Sequence, residues 1–169
     1  LQPRLPDLLA TKNKRINIAP DIITADIARL QAALDKGPGD QLLLIGRRHI
    51  RDMNSWLHNL NNYARGKNRC TLLINPQDAQ RIGLRPQGIA RITSRVGEFE
   101  AQVTITDSIM PGVVSLPHGF GHNYKDTQQS IASGKTPGIS ANDLVDDNEM
   151  DVPSGTSVVN GVPVSVVPA

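Results

Sequence analysis

The sequence predicts a mainly β chain with short helices, whose strands close into a small barrel. Three observations support this fold class. Short runs of branched aliphatic residues recur between Gly and Pro turns. Aromatic residues make up only 3% of the 169 residues, so Val, Ile, Leu and Ala must form the core. The connections between the runs are too short for repeated right-handed β-α-β units.

The first 40 residues form a separate segment. Residues 1–20 are rich in Pro, Lys and Arg, which is typical of a linker. Asp21 or Thr24 can cap a helix that runs to about Lys36, where the Gly-Pro-Gly of residues 37–39 ends it. The apolar stripe of this helix consists of Ile23, Ile27, Leu30 and Leu34. The stripe needs a partner, either the following domain or a domain missing from this chain. We therefore assign residues 1–40 to a linker and helix from the preceding part of a longer protein.

Residues 41–169 are expected to form the barrel domain. The six predicted strands are 42–45, 71–74, 89–94, 99–106, 113–116 and 162–167. Asn75 is a strong N-cap and Pro76 suits the first helical position, so a short helix follows the second strand and ends at Gly83. Residues 117–157 lack periodicity, and a stretch this long inside a compact domain is usually functional or mobile.

Composition excludes several kinds of function. The net charge of +2, from 18 basic and 16 acidic residues, is too balanced for a general polyanion binder, and few aromatics are present for base stacking, so no nucleic-acid partner is expected. No apolar run approaches the roughly 18 residues of a membrane span. The single cysteine, Cys70, cannot form a disulfide, a structural zinc site or an iron–sulfur cluster within this chain, and we expect a buried, inert thiol.

A dense polar segment follows the first strand at Gly46. It contains Arg47, Arg48, His49, Arg51, Asn54, Ser55, His58 and Asn59. The guanidinium fork of Arg matches phosphate, and Asn and Ser supply neutral donors and acceptors. The segment suits a ligand with phosphates and hydrogen-bonding heterocycles, and a solvated basic loop is the equally weighted alternative. By contrast, Lys67, Arg69 and Arg85 lie in turns and are expected to be solvated.

Several motifs in a fixed order connect these elements to a known family. They are IGRRHIRDMNSWLHN at 45–59, INPQDAQRIG at 74–83, SRVG at 94–97, PG at 111–112, PHG at 117–119, NDL at 142–144 and DVPSGT at 151–156. Over residues 41–169, this pattern resembles the C-terminal molybdopterin-dinucleotide-binding domain of the dimethyl-sulfoxide-reductase family. The resemblance implies a six-stranded double-psi β-barrel, in agreement with the six predicted strands.

The resemblance also implies a cofactor and partners. The cofactor is molybdopterin guanine dinucleotide, whose molybdenum or tungsten is ligated by a missing domain, and an iron–sulfur cluster is possible only in the missing part. The partners are the other domains of a molybdopterin-dependent oxidoreductase. This chain alone is expected to be non-catalytic, and no catalytic or metal-binding residue is assigned to it. The alternative is a double-psi barrel that serves as a protein-interaction module without cofactor. The cellular location stays open, with a slight preference for the cytoplasm.

The candidate cofactor-binding residues come from three places in the chain. They are Gly46, Arg47, Arg48, His49, Asn54, Ser55, Asn59, His118, Gly119 and Asn142. A Gly at a strand end lets backbone approach a ligand, or simply makes a turn. His118 follows a strand and precedes a glycine, which suits ligand contact, with a structural histidine as the alternative. Trp56 is assigned to an interface or the core rather than to stacking on the ligand.

Overall fold

The computed structural model describes residues 2–37 and 39–169. It divides into two compact units, Leu1–Gly39 with Val152–Gly155, and Asp40–Asp151 with Thr156–Ala169.

The N-terminal unit contains two helices where the sequence predicts one. Helix α1 spans Asp21–Thr24 and helix α2 spans Ile27–Lys36. The break falls at residues 25–26, and neither helix has a side-chain cap. Helix α2 ends as expected at Gly37, whose φ is +68°, while Pro38 of the predicted terminator lies outside the described residues. The four stripe residues are all exposed, between 48% and 66%.

Eight strands lie in the second unit. They are β1 (Leu42–Arg47), β2 (Thr71–Ile74), β3 (Ile89–Thr93), β4 (Glu98–Ile105), β5 (Val113–Pro117), β6 (Met150–Asp151), β7 (Thr156–Ser157) and β8 (Val162–Pro168). Six of them close a barrel in the order β1-β5-β2-β4-β3-β8, and β6 pairs with β7 in a separate hairpin. The pairs β1/β5 and β2/β4 are parallel, and the other pairs are antiparallel. The predicted six strands and the mainly β, double-psi β-barrel fold are confirmed.

Aliphatic side chains that alternate along the strands fill the barrel. Ala90 and Ile92 of β3 are fully buried on either side of the exposed Arg91, and Val162, Val164 and Val166 of β8 alternate with exposed residues. In β5 four of the five residues are buried, from Val114 to Pro117. Leu144, far along the chain, packs into the same core at 0% exposure.

The predicted short helix forms as α3 (Pro76–Ile82), and its capping agrees with the sequence. Oδ1 of Asn75 accepts from the backbone N–H of Gln77 at 2.9 Å, and Gly83 adopts the left-handed conformation with φ +82°. Asp78 is buried and accepts from the Gly112 N–H at 2.7 Å. This bond fixes the turn that leads into β5.

The segment 117–157 is more ordered than its lack of periodicity predicts. It contains α4 (Ser130–Lys135), a 3-10 helix (Ala141–Leu144) and the β6–β7 hairpin. These elements are too short to produce a hydrophobic period, so the sequence alone does not reveal them.

Candidate functional site

Two polar loops leave the barrel side by side. Strands β1 and β5 are parallel neighbours, and their last residues, Arg47 and Pro117, are paired in the ladder. The N–H of His118 also donates to the Arg47 carbonyl at 3.0 Å. Parallel strands end at the same edge of a sheet, so the loop after β1 and the loop after β5 start from one point. The two motifs are some 70 residues apart in the sequence, and the barrel brings them together.

Two glycines allow the loops to approach each other closely. A Cβ on Gly46 would lie 2.5 Å from Nε2 of His118, so only a glycine leaves room for that ring. Gly119 has φ +84°, and a Cβ there would overlap the backbone oxygen of Asn54. The walls formed by residues 48–59 and 118–122 are therefore in direct contact.

The larger of two clefts at this edge has a volume of about 450 Å³, which is within the range of small-molecule sites. Four of the predicted residues line it: Ser55, His118, Gly119 and Asn142. The sequence did not select His122 and Gln129, which line it as well. Oε1 of Gln129 is buried without a hydrogen-bond partner and can accept from a ligand N–H.

The smaller cleft, of about 220 Å³, also has His118 in its lining. Its predicted residues are Arg48, His49 and Asn54. Nη1 of Arg48 donates to Oδ1 of Asn54 at 2.5 Å, which orients the exposed guanidinium. Nδ1 of His49 accepts from the Arg51 N–H at 3.1 Å. Because His118 borders both clefts, one ligand extending across both would contact its ring.

The side chain of Arg47 makes hydrogen bonds to the backbone of neighbouring strands, and Arg47 does not line either cleft. Nη1 donates to the Ser115 carbonyl at 2.6 Å, and Nη2 donates to the carbonyls of Thr71 and Arg69 at 2.7 and 3.1 Å. Burial lowers the pKa of this guanidinium, and the nearby Cys70 and Asp52 oppose that shift. These contacts tie β1 to β5 and β2. Ligand contact by Arg47 stays a prediction, and its geometry favours a structural role.

Asn59 also has a partner within the fold. Its Oδ1 accepts from the N–H groups of Ile131 and Ala132 at 3.0 and 3.2 Å, at the start of α4. The amide therefore anchors the long segment after β5 to the loop after β1.

The sequence missed a buried polar chain behind the clefts. Asp52 is 2% exposed and His58 is fully buried, with His58 Nε2 3.1 Å from Asp52 Oδ1. On its other side, His58 Nδ1 lies 2.8 Å from Nε2 of His122. Arg69 donates to Asp52 Oδ1 from Nε and Nη2, at 3.0 and 2.8 Å. The expectation that Arg69 is solvated is wrong, because its side chain is only 12% exposed and pairs with this carboxylate.

The environment of His122 favours its neutral form. Burial lowers the pKa of His122, and the adjacent His58 lowers it further, while a hydrogen bond to the Gly119 backbone opposes both. The only sequence signal for this contact was the second histidine of the HGFGH segment at 118–122, and its partner lies in the other loop, so it cannot be identified before the fold brings the two loops together.

Two other expectations have clear outcomes. Cys70 is 5% exposed, and burial raises the pKa of its thiol, as expected for an inert buried cysteine. Trp56 is 75% exposed, so it does not belong to the core of this chain.

Neither a membrane helix nor a metal cluster occurs in the described ranges. No helix within residues 2–37 or 39–169 is long and apolar enough to span a bilayer. The same ranges contain no group of three His, Cys, Asp or Glu side chains arranged to hold a metal ion.

Comparison with known proteins assigns the chain to a family. Residues 42–163 match the family model described as "Molydopterin dinucleotide binding domain". The chain belongs to this family. The match includes β1 to β5, both polar loops and the start of β8, so a molybdopterin-type cofactor is the ligand class of the domain.

Curated relatives and one solved structure agree with this assignment. The chain is 32% identical over 109 residues to a tetrathionate reductase of Salmonella typhimurium (strain LT2), and the match covers 55% of this chain and 11% of the relative. It is 29% identical over 69 residues to the arsenate respiratory reductase molybdopterin-containing subunit of Chrysiogenes arsenatis, covering 37% of this chain and 8% of the relative. The chain thus spans about a tenth of the length of these relatives. Acetylene hydratase from Pelobacter acetylenicus has the same fold, with a TM-score of 0.64 at 15% identity over 85% of this chain and 20% of that one.

Proposed function

We propose that this chain is the C-terminal domain of a molybdenum or tungsten oxidoreductase and that it holds a molybdopterin guanine dinucleotide in the two clefts. The observation that carries this proposal is the parallel β1/β5 register, which places the two polar loops of a molybdopterin-binding family side by side. The predicted residues that border the clefts are Arg48, His49, Asn54, Ser55, His118, Gly119 and Asn142.

The chemistry of these residues fits the cofactor. Arg48 is exposed and carries a guanidinium whose fork matches a pyrophosphate oxygen pair. Ser55, Asn142 and the unpartnered Oε1 of Gln129 offer donors and acceptors for the edge of a pterin ring. His118 lines both clefts, so its imidazole can contact a ligand in either one. When bound, the cofactor supplies the redox centre, and the residues of this chain bind it, orient it and exclude water from it.

The proposal assigns the remaining functions to the rest of a longer parent protein. The metal ligand, any iron–sulfur cluster and the substrate site belong to other domains of the parent, which are the partners of this chain. The names of the relatives support a parent that reduces an oxyanion of sulfur or arsenic. The 169-residue chain alone is expected to be inactive and to bind the dinucleotide weakly, because one wall gives part of the contacts while the association entropy is still lost in full.

The alternative, a barrel that only binds other proteins, is not favoured by the family match. Its supporting observation is a set of exposed apolar side chains, Ile50, Met53 and Trp56, beside the clefts. In the proposed function, these side chains face another domain of the parent.

The test is the pterin and metal content of the purified parent protein and of two variants. Arg48→Ala should reduce the pterin-to-protein ratio about tenfold or more, because a hydrogen bond to a charged group contributes about 1.5–3 kcal/mol. Lys67→Ala is the matched control, since Lys67 is an exposed cation outside both clefts. A parent protein that purifies without pterin refutes the function, and equal pterin content in both variants removes Arg48 from the site.

A further inference from the structure

The turn between β3 and β4, residues 94–97, lies against the segment that carries Asn142. This segment, residues 140–146, contains the 3-10 helix Ala141–Leu144, and Asn142 lines the larger cleft. The turn coincides with the SRVG motif, and the segment includes the NDL motif, which lies far along the sequence. The contact between the two motifs therefore arises only when the barrel closes.

Gly97 allows the turn to approach the segment closely. A Cβ on Gly97 would overlap the backbone oxygen of Asp143 and would lie 3.8 Å from Cδ2 of Leu144. The obstacle is backbone rather than the flexible end of a side chain, so a larger residue would push the segment away from the turn. Leu144 is fully buried in the barrel core and leaves little room for movement on that side. The exposed side of the 3-10 helix, where Asn142 lies, must therefore take up the displacement.

Arg95 connects the same turn to the end of the segment. Its Nε and Nη2 both contact Oδ2 of Asp146, across 51 positions of the sequence. The side chain of Asp146 is only 8% exposed, and its other oxygen accepts from the N–H of Asn148 at 2.9 Å. One oxygen of Asp146 thus binds the turn, and the other binds the backbone that follows the segment.

The other side of the segment contacts the loop after β5. The hydroxyl of Tyr124 donates to a carboxylate oxygen of Asp143. A Cβ on Gly121, whose φ is +101°, would lie 2.8 Å from Cβ of Ser140. The segment is therefore held between the β3–β4 turn and the wall 118–122, which also lines the larger cleft.

We propose that Gly97 and Arg95 are positioning residues for the larger cleft: from the β3–β4 turn, they hold the segment 140–146 so that Asn142 lines the cleft. Neither residue lines either of the two clefts, so both act through the segment rather than by contact with the ligand. The amide of Asn142 offers a donor and an acceptor to the edge of a heterocycle. Its contribution to cofactor binding rests on the proposed function, and the contact between turn and segment does not.

The first measurement is amide hydrogen exchange of the 169-residue chain without cofactor. The N–H of Val145 donates to the Asn142 carbonyl at 3.0 Å, so its protection reports whether the 3-10 turn at Asn142 is intact. Gly97→Ala should lower this protection about two- to tenfold, the effect of losing one neutral hydrogen bond. Gly134→Ala is the control, since a Cβ there meets nothing within 4 Å. Equal protection of Val145 in the two variants overturns the proposal, whatever the parent protein binds.

The second measurement is the pterin-to-protein ratio of the purified parent, which separates positioning from a general effect on stability. Asn142→Ala should lower the ratio about two- to tenfold, because one neutral hydrogen bond to the ligand is lost. Gly97→Ala should lower it at least about twofold, and the double variant should lose no more than Asn142→Ala alone, since both changes act through the same amide. A merely structural role of Gly97 would make the two effects independent. Effects that multiply in the double variant, or a wild-type ratio in Gly97→Ala, overturn the proposal.

Arg95 has a matched control in the same hairpin. Arg95→Ala should lower the ratio about two- to fivefold, because its side chain is 65% exposed and solvent screens the ion pair. Arg95→Lys should recover part of the loss, because an ammonium still pairs with Asp146 but cannot reproduce the planar fork. Arg91→Ala removes the ion pairs with Glu98 and Glu100 and should leave the ratio unchanged. Equal ratios in Arg95→Ala and Arg91→Ala overturn the role of Arg95.

Failure of this proposal and failure of the proposed function give different results. A wild-type parent that purifies without pterin refutes the proposed function and, with it, the contribution of Asn142 to cofactor binding. Unchanged exchange at Val145 refutes the positioning by the turn alone. Should Gly97→Ala not fold, Arg95→Ala takes its place in the exchange measurement with Arg91→Ala as control, and equal protection of Val145 in these two variants overturns the proposal.

Discussion

A methyl group at Gly46 should displace the ring of His118 with little effect on the barrel. The Cβ of Gly46→Ala would lie 2.5 Å from Nε2 and 2.8 Å from Cε1 of that ring. Carbon atoms in ordinary van der Waals contact are about 3.5 Å apart, so the His118 ring must move away from the new Cβ by about 1 Å. Hydrogen bonds need donor–acceptor distances of about 2.7–3.2 Å, and a shift of this size breaks one.

The expected effects on stability and on binding differ in size. Overpacking costs about 1–3 kcal/mol, and the low end applies because the clashing atoms are the tip of a half-buried side chain. Alanine also reduces the conformational entropy of the unfolded chain, which raises the free energy of unfolding by about 0.4–1 kcal/mol. The melting temperature should therefore change by no more than about 4 °C. Loss of one hydrogen bond to the ligand weakens binding by about 0.5–1.5 kcal/mol, so cofactor retention should fall about two- to tenfold.

The assay is the pterin-to-protein ratio of the purified parent, with a thermal melt of each variant. Gly134→Ala is the control, because a Cβ there meets nothing within 4 Å. In a His118→Ala background, Gly46→Ala should have no further effect on retention, since both changes act through the same ring. Retention that is equal in Gly46→Ala and Gly134→Ala, or effects that add in the double variant, would refute the reasoning.

Three further predictions concern groups inside the fold. Arg47→Ala should lower the free energy of unfolding by about 1–3 kcal/mol, because buried backbone carbonyls lose their donor, and Arg47→Lys should restore only part of it; urea denaturation measures both, and no loss of stability would contradict the structural role. His122 has a lowered pKa, so the unfolded chain, in which histidine titrates near 6.5, binds this proton more readily than the folded chain. The contribution of neutral His122 to the free energy of unfolding should be complete above about pH 6.5 and should decline as the pH falls below it. In thermal melts, His122→Gln should remove this part of the decline, and an unchanged decline would contradict the assignment. Cys70 should react with a thiol reagent at about pH 8 far more slowly in the folded chain than in urea, because burial raises its pKa, and similar rates would show an accessible thiol.

The barrel could be predicted because its signals are local. The alternation in residues 89–93 and the Asn75, Pro76 and Gly83 signals of α3 depend on neighbouring residues only. The single helix predicted over residues 21–36 was divided by a break at residues 25–26 that the apolar stripe does not reveal.

Seven of the ten predicted residues line the two candidate clefts, but the sequence did not reveal the different contacts that the predicted residues make. Arg47 and Arg48 look equivalent in the sequence, yet successive side chains at a strand end point to opposite sides, and only Arg48 borders a cleft. The pairing of His58 with His122, and of Asp52 with Arg69, exists only after the barrel closes. No spacing rule connects such residues, because the connection depends on the three-dimensional path of the chain.

The β1/β5 ladder also determines where the chain can change in length. Gly46 is paired with Leu116 and Arg47 with Pro117, so inserting or deleting one residue in either strand would turn every later side chain to the opposite face and separate the two loops. Residues 60–68, by contrast, lie in an exposed connection outside the barrel strands, apart from the buried Ala64. Extra residues there would add only a small loop-closure entropy and leave the clefts in place. A reporter peptide or a tether for an electrode could therefore be inserted in that connection, close to the edge of the barrel from which the two loops leave, without altering the geometry that holds the two loops together.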